Sequence, residues 1–346
     1  MDLNGKVVLL TGGTGSFGKK FCEYVFKNYK IKKLIIFSRD EYKHYQMSKI
    51  FPQNKYPIRF FLGDIRDKDR LYRAFEGVDI IVHAAALKHV PICEYNPFEA
   101  VKTNIIGAQN IVEAAIDKGV KKVVALSTDK AVSPVNLYGA TKLVMEKIFI
   151  SGNVYVGSKE TSFSVVRYGN VIGSRGSVIP FFISLLKQGV DELPITDKRM
   201  TRFWISLKEG IKLVIHAIEK AVGGEIFVPK IPSCRIVDLA ESLVEMFAED
   251  RNIKFKEIGI RPGEKLHETL INEEESRNTL EDKDKFIILP YNEFINREKY
   301  KVYENLKKVK ENFIYRSDLN KPYLTKEEIK RKIKALLPEI DFVNSF

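Results

Sequence analysis

Two runs near the middle of the chain hold residue types that do chemistry: Ser127-Thr128-Asp129-Lys130-Ala131 and, seven residues on, Tyr138-Gly139-Ala140-Thr141-Lys142. Tyr138 and Lys142 are spaced i, i+4 and share one helix face, so the ammonium can stabilise a phenolate whose ordinary pKa is about 10. Such a phenolate takes a hydroxyl proton near neutrality, which is the proton chemistry of alcohol oxidation. Asp129 and Lys130 add a second acid and base that a plain dehydrogenase does not need, and so suggest elimination as well. A Tyr-x-x-x-Lys spacing alone is ordinary helix surface; it gains meaning only beside a cofactor site.

The start of the chain supplies one. Lys6 to Thr11 reads as a buried strand, followed by Gly12-Gly13-Thr14-Gly15-Ser16-Phe17-Gly18 and a helical stretch through Tyr29. Strand, glycine loop and helix stand in the order that lets backbone approach a pyrophosphate at a helix N-terminus. The doubled glycine allows two registers, one using Gly13, Gly15 and Gly18 and the other Gly12, Gly15 and Gly18. A second strand, Lys33 to Phe37, ends at Ser38-Arg39-Asp40-Glu41, with Lys43 just beyond. Arg39 suits a ribose 2′-phosphate and favours NADP, while Asp40 leaves NAD open. A third strand, Ile58 to Leu62, leads to Asp64 and Ile65, placed to meet the adenine. A fourth, Asp79 to His83, runs into Ala84, Ala85 and Ala86, small enough for close approach to the cofactor, and then Lys88. Asn104, in a helix beginning near Pro97, is expected to be a polar anchor inside the helix that also orders the active site.

These elements must be held by a fold. Strands near 6, 33, 58, 79, 122 and 162 alternate with helical segments, which predicts an α/β, Rossmann-type doubly wound parallel sheet. Its fifth strand, Lys122 to Leu126, delivers Ser127 to Lys130 at the carboxyl end, where such sheets bind ligands. The expected division is a cofactor-binding domain carrying the catalytic residues over 1–168 and a smaller substrate lobe with a helical tail over 169–346. Gly169, Gly173, Gly176 and Pro180 mark the break in rhythm. The lobe's helices are predicted at Val178 to Lys187, Leu207 to Lys220 and Ile236 to Phe247, with a strand at Glu225 to Val228. Arg199, Arg202, Arg261 and Lys265 fall in loop-like contexts and form a candidate diphosphate cluster. Thr325 to Glu328 reads as a capping box for a last helix ending before Pro338.

Composition narrows the function classes. At 346 residues, with 45% hydrophobic and 29% charged residues, the chain can bury a full core. Lys and Arg number 57 against 45 Asp and Glu, a net +12, but the charges are interleaved and no aromatic-basic module stands out, so nucleic acid is not an expected partner. Cys22, Cys93 and Cys234 are few and far apart, which points to a reducing compartment rather than a disulfide framework. The five histidines lack metal-ligand spacing, and no metal is expected. No signal peptide or apolar run of membrane-spanning length is visible, so a cytoplasmic protein without membrane contact is expected.

With both motifs in hand, the chain resembles the extended short-chain dehydrogenases, and more closely the inverting UDP-N-acetylglucosamine 4,6-dehydratases that begin pseudaminic acid synthesis. The resemblance rests on Thr-Gly-Gly-Thr-Gly-Ser-Phe-Gly (11–18), Ser-Arg-Asp-Glu (38–41), His-Ala-Ala-Ala-Leu-Lys-His-Val-Pro (83–91), Ser-Thr-Asp-Lys-Ala (127–131) and Asn-Leu-Tyr-Gly-Ala-Thr-Lys (136–142). It continues in Arg-Tyr-Gly-Asn-Val (167–171), Arg-Met-Thr-Arg-Phe-Trp (199–204) and Arg-Pro-Gly-Glu-Lys-Leu-His-Glu (261–268), covering residues 6 to about 270. It implies that Lys130 removes the sugar's C5 proton and Asp129 assists departure of the C6 hydroxyl, around a cofactor retained through each turnover. It places Lys88, Asn170, Val178, Thr201, Arg202, Arg261 and Glu264 around UDP-N-acetylglucosamine, and implies a homo-oligomer, often a hexamer. Lys130 would serve as base only if burial or nearby positive charge lowers its pKa. Two other readings stand beside this one: an NADP-linked UDP-sugar 4-epimerase, which would not need Asp129 and Lys130, and a non-catalytic NADP-sensing or RNA-associated regulator.

Overall fold

The structure is a computed structural model that describes residues 1–173, 177–291 and 295–344; Gly176, one of the marks of the break in rhythm, lies outside them. Six strands from the first half build the core sheet: β1 (Val7–Thr11), β2 (Lys33–Ser38), β3 (Ile58–Leu62), β4 (Ile80–His83), β5 (Lys122–Thr128) and β6 (Ser162–Tyr168). They are parallel and lie in the order β3-β2-β1-β4-β5-β6, so the direction of winding reverses between β1 and β4, where this class of sheet opens a ligand crevice. The residues explain the arrangement. Val8, Leu9, Leu10, Leu34, Ile36, Ile80, Ile81, Val123 and Val124 are buried runs without alternation, as strands covered on both faces require. The expected Rossmann-type sheet is thus observed, with β5 reaching two residues beyond the predicted Leu126.

The second half adds short strands: β7 (Glu192–Ile195), β8 (Thr201–Phe203), β9 (Ile226–Pro229), β10 (Ser233–Arg235), β11 (Lys254–Glu257), β12 (Thr269–Ile271), β13 (Thr279–Glu281), β14 (Lys285–Ile288), β15 (Lys307–Lys308) and β16 (Tyr315–Arg316). Four of them extend the same sheet past residue 168: β9 joins β6 in parallel, and β14, β13 and β15 follow antiparallel. The remaining six pair off as β10 with β8, β11 with β7 and β12 with β16. A separate apolar cluster in the second half of the chain includes Ile179, Phe182, Leu193, Trp204, Leu239, Leu243, Ile329 and Ile333.

The three predicted lobe helices occur at Val178–Lys187, Leu207–Lys220 and Ile236–Phe247. Pro180 sits in the first turn of its helix, where no intrahelical N–H bond is lost. The capping box at the tail is present: Glu328 N–H donates to Thr325 Oγ1 at 3.3 Å, and Thr325 N–H to Glu328 Oε2 at 2.9 Å. That helix does not stop before Pro338, however; it spans Lys326–Asn344. Pro338 removes one backbone bond, to the carbonyl of Lys334. Both residues are exposed, so water can take the freed carbonyl and the helix continues. The predicted strand at Glu225 starts one residue later. Glu225 is instead a buried carboxylate accepting from Val222 N–H at 2.6 Å, Gly223 N–H at 2.7 Å and the Tyr303 hydroxyl at 2.9 Å.

Candidate active site

The carboxyl ends of β1, β2, β4 and β5 meet at one rim, and each sequence motif arrives there by a different local device. The loop after β1 enters the helix Ser16–Asn28, whose first turn has no acidic residue and whose N-cap, Gly15, offers no side-chain acceptor. Its N–H groups are therefore left to an anion. The glycines of both registers are needed: Gly12 adopts φ +67°, a Cβ on Gly13 would lie 2.9 Å from Ile36 Cγ2, and a Cβ on Gly18 would lie 1.9 Å from the Gly13 carbonyl oxygen. The two registers of the motif are thus one structure, in which helix and loop touch through backbone alone.

At the end of β2, Ser38 Oγ lies 3.1 Å from Thr14 Oγ1 and 2.7 Å from His44 Nε2. Asp40 caps the helix Glu41–Ile50 by accepting from Lys43 N–H at 3.0 Å, and its other oxygen pairs with Lys43 Nζ at 2.9 Å. Arg39 is exposed and 3.8 Å from Asp64 Oδ2, which also holds Arg66. Ile65 is buried under the helix carrying Gly107. On the floor of the crevice, Ala84 N–H donates to Thr11 O and Ala85 N–H to Thr11 Oγ1, bringing both alanines against the glycine loop. These features fit a nicotinamide dinucleotide: a cradle closed to side chains, an uncapped helix start, and the hydroxyl of Ser127, buried at the tip of β5 without a hydrogen-bond partner.

Asn104 behaves as the anchor expected of it. It sits in a π-helical turn, Lys102–Ile106, between Pro97–Val101 and Gly107–Asp117. Its Oδ1 accepts from Leu87 N–H, and its Nδ2 donates to Leu87 O and to Thr141 Oγ1, all at 2.9–3.0 Å. It thereby ties the Ala84–Lys88 segment to the helix Leu137–Tyr155, which carries Tyr138 and Lys142.

That helix starts cleanly at Asn136, whose side chain accepts from Gly139 N–H at 2.7 Å. Adjacent strand residues point to opposite faces, so Asp129 and Lys130 can share one site only outside the strand. They do so: β5 ends at Thr128, and Asp129–Ala131 form a 3₁₀ turn. The turn packs against the helix at Gly139, where a Cβ would come within 2.1 Å of Lys130 O.

The electrostatics differ from the sequence argument at two lysines. Lys142 donates to Leu126 O at 2.7 Å and contacts Met145 Sδ at 2.9 Å, and burial pulls its pKa down to about 8. Burial raises Tyr138 to about 12, and the cation that opposes this rise is Lys130, with help from the Thr128 hydroxyl. The turn beside Tyr138 thus acts on it in both directions, Lys130 lowering and Asp129 raising it, while the Lys142 amine is drawn to the end of β5. Lys130 also departs from expectation. Burial lowers its pKa, but the carboxylates of Asp129 and Glu268 outweigh burial and Arg202, so the net shift is upward. Its ammonium donates to Asp129 Oδ1 at 3.0 Å, Asn170 Oδ1 at 3.1 Å and Glu268 Oε1 at 3.2 Å. Asp129 is fully buried, and burial together with Glu268 pushes its carboxyl up, toward the protonated form.

The proposed sugar-nucleotide residues divide. Asn170 touches Lys130 directly. Arg202 lies in β8, not in a loop; it is buried, donates to three backbone carbonyls and stands 3.6 Å from Glu264 and 3.7 Å from Glu268. Glu264 keeps one buried oxygen without a hydrogen-bond partner, Arg261 and Lys88 are exposed, and Val178 opens the helix Val178–Lys187. Thr201 is turned inward: its hydroxyl is 2.8 Å from His267 Nδ1 and 2.7 Å from Ser317 Oγ. Arg199 points out to solvent and pairs with Asp197, and Lys265 donates to Val132 O, so the basic cluster does not converge on one anion. Sequence reasoning missed Thr128 and Glu268. Thr128 adjoins the Asp-Lys pair and was legible as part of that motif; Glu268 was visible only as the end of a longer motif.

A further buried network ties the end of β6 to the Tyr138 helix and to the segment around Glu275. Arg167, at the end of β6, forks to Glu146 of the Tyr138 helix at 2.6 Å and to Glu275 at 2.8 Å. Breaking such a buried pair costs about 3–5 kcal/mol.

A parallel sheet in the order 3-2-1-4-5-6, with a dinucleotide cradle at its switch point and a Tyr–Lys helix beside it, defines an extended short-chain dehydrogenase/reductase, a class that binds NAD(P). Within it, the chain belongs to the family of polysaccharide biosynthesis proteins, whose family model matches residues 8–290. A UDP-N-acetylglucosamine 4,6-dehydratase (inverting) of Campylobacter jejuni is 52% identical over 94% of this chain and 96% of that protein. A UDP-glucose 4-epimerase of Rickettsia massiliae is 43% identical over 98% and 97%. The X-ray structure of Pen from Bacillus thuringiensis superposes with a TM-score of 0.88 at 43% identity, covering 97% of this chain and 99% of that one. Among the described residues, no helix is long and apolar enough to cross a membrane.

Proposed function

We propose that the chain is a UDP-N-acetylglucosamine 4,6-dehydratase that inverts C5 and uses NADP, giving UDP-2-acetamido-2,6-dideoxy-β-L-arabino-hex-4-ulose. The observation that carries this reading is the Asp129–Lys130 turn within electrostatic reach of Tyr138. A 4-epimerase needs the tyrosine and the helix lysine but no second acid–base pair, and a cofactor-sensing regulator needs neither.

The sugar's C5 proton is not acidic until C4 is a ketone. A nicotinamide dinucleotide held by the Gly12–Gly18 cradle would supply the hydride chemistry that oxidises C4 and later reduces C6. Tyr138 takes the C4 hydroxyl proton, its phenolate favoured by the Lys130 ammonium and the Thr128 hydroxyl. The Lys130 ammonium donates to the Asp129 carboxylate across a 3.0 Å contact. Moving that proton from nitrogen to carboxylate turns an ion pair into a free amine beside a carboxylic acid, the two partners an elimination requires. Lys130 then takes the C5 proton, and Asp129 protonates the departing C6 hydroxyl. Protonation of C5 from the opposite face inverts it.

Asp40 is occupied as a helix cap and by Lys43, so Arg39 is the residue that would meet a ribose 2′-phosphate, which supports NADP over NAD. Buried unpaired Cys22, Cys93 and Cys234 support a reducing, cytoplasmic setting. Exposed Ile92, Tyr95 and Phe98 on two successive helices support a homo-oligomer, a hexamer by resemblance.

Proton NMR of the purified protein with UDP-N-acetylglucosamine in deuterated buffer tests the reading. A new C6 methyl signal with deuterium at C5 is expected. Inversion at C4 alone would establish an epimerase, and NADP binding without turnover a regulator.

A further inference from the structure

Glu268 has no part in the steps above, yet its side chain is 97% enclosed at their centre. It reaches Lys130 across 138 residues of chain and is fixed there by backbone: its N–H donates to Ser317 Oγ at 3.0 Å, and its carbonyl accepts from Ser317 N–H at 2.8 Å. The oxygen facing Lys130 Nζ at 3.2 Å also lies 3.7 Å from Arg202 Nε. The second oxygen of Glu268 and the second oxygen of Asp129 are both buried without hydrogen-bond partners. Two buried carboxylates thus flank one ammonium, and the three N–H bonds of Lys130 are matched one to one by Asp129, Asn170 and Glu268.

We propose that Glu268 is a positioning residue for the elimination: its ionised carboxylate holds the Lys130 nitrogen beside Asp129 and keeps the mobile proton of that pair inside the site. The inference takes its chemistry from the dehydratase reading, but its physical content concerns Lys130 alone. When the proton crosses to Asp129, the amine keeps two N–H bonds, and Asn170 and Glu268 still hold it, so the nitrogen becomes a base without losing its place. The step balances. Nitrogen takes the C5 proton, the C5–H electron pair becomes the C5–C6 double bond, the C6–O bond breaks, and the Asp129 proton leaves with the hydroxyl as water. The pair returns to ammonium and carboxylate.

The charges around the pair agree with this division of labour. Burial and Glu268 push Asp129 up, whereas Lys130, Arg202 and Lys265 overcome burial and hold Glu268 below its ordinary range. Tyr138 faces the same ammonium from its helix. Pushing two titratable neighbours apart in this way assigns one the proton and the other the charge.

Glu268→Gln keeps the acceptor oxygen and removes the charge. Loss of a negative charge lowers both apparent pKa values of the Asp129–Lys130 pair, so the bell-shaped pH profile of kcat is expected to move bodily toward acid by about one pH unit, with KM and cofactor affinity unchanged. A second measurement needs no turnover: competitive acetic anhydride labelling of the intact protein with NADP, read by mass spectrometry across pH. The onset of Lys130 labelling is expected to shift to lower pH in Glu268→Gln, with exposed Lys334 as internal reference. An unmoved profile, or lost activity with unchanged Lys130 labelling, overturns the proposal. Absence of the methyl product in the unsubstituted protein overturns the dehydratase reading instead, and the labelling still decides the role of Glu268.

Discussion

The cofactor cradle and the acid–base cluster share one rim of the sheet but are built on opposite terms. The cradle is backbone: glycines, an uncapped helix start and alanine N–H groups, drawn from strand-to-helix junctions that are short in sequence. The cluster is side chain: Lys130 meets Asn170 from 40 residues away and Glu268 from 138, and every contact is a charge or a hydrogen bond in a buried setting. A backbone-built site fixes where a ligand lies, whereas a side-chain cluster fixes which protons move. The two functions are therefore expected to fail separately.

Lys130→Ala gives the larger separation. Removing the amine is expected to reduce methyl formation by about 10³-fold, in the range of a lost general base, while NADP still binds and stabilises the protein against heat. Cofactor titration and product NMR on the same preparation check this; methyl formation at the unsubstituted rate would remove Lys130 from the chemistry. Arg39→Ala is the converse and smaller effect. Among the described residues its exposed guanidinium makes a long contact with Asp64, so the fold is expected to survive. NADP affinity is expected to drop about tenfold with NAD affinity unchanged, as for loss of one charged hydrogen-bonding partner. Calorimetric titration with each dinucleotide separates the cases, and an equal effect on both would tell against a 2′-phosphate at Arg39.

The same contrast explains what could be read from the sequence. The cradle was legible because its order of strand, glycines and helix is contiguous, and the parallel sheet because its strands are unbroken apolar runs. Asp129 and Lys130 were legible as residue types, and the end of β5 at Thr128 resolves how adjacent residues serve one site. Their proton states were not legible. Whether Lys130 is raised or lowered depends on its burial and on Asp129, Glu268 and Arg202 together, and of these the depth of burial, Glu268 and Arg202 arrive only through the packing of β8 and the segment before β12. Thr201 shows the same limit: its motif suggests a ligand contact, but only the fold reveals that His267 and Ser317 occupy its hydroxyl. The last helix was cut short for a different reason. A proline rule applied to sequence cannot know that Lys334 and Pro338 both lie on an exposed part of the helix.

In the proposed reaction, hydride removed from C4 comes back to C6 of the same sugar, and C5 is acidic in between. UDP-N-acetylglucosamine carrying deuterium at C4, turned over in ordinary water, tests it most directly. The account predicts a product whose C6 methyl holds that deuterium, seen as a CH₂D signal, with ordinary hydrogen at C5. A methyl group without deuterium, or deuterium retained at C4, would contradict it.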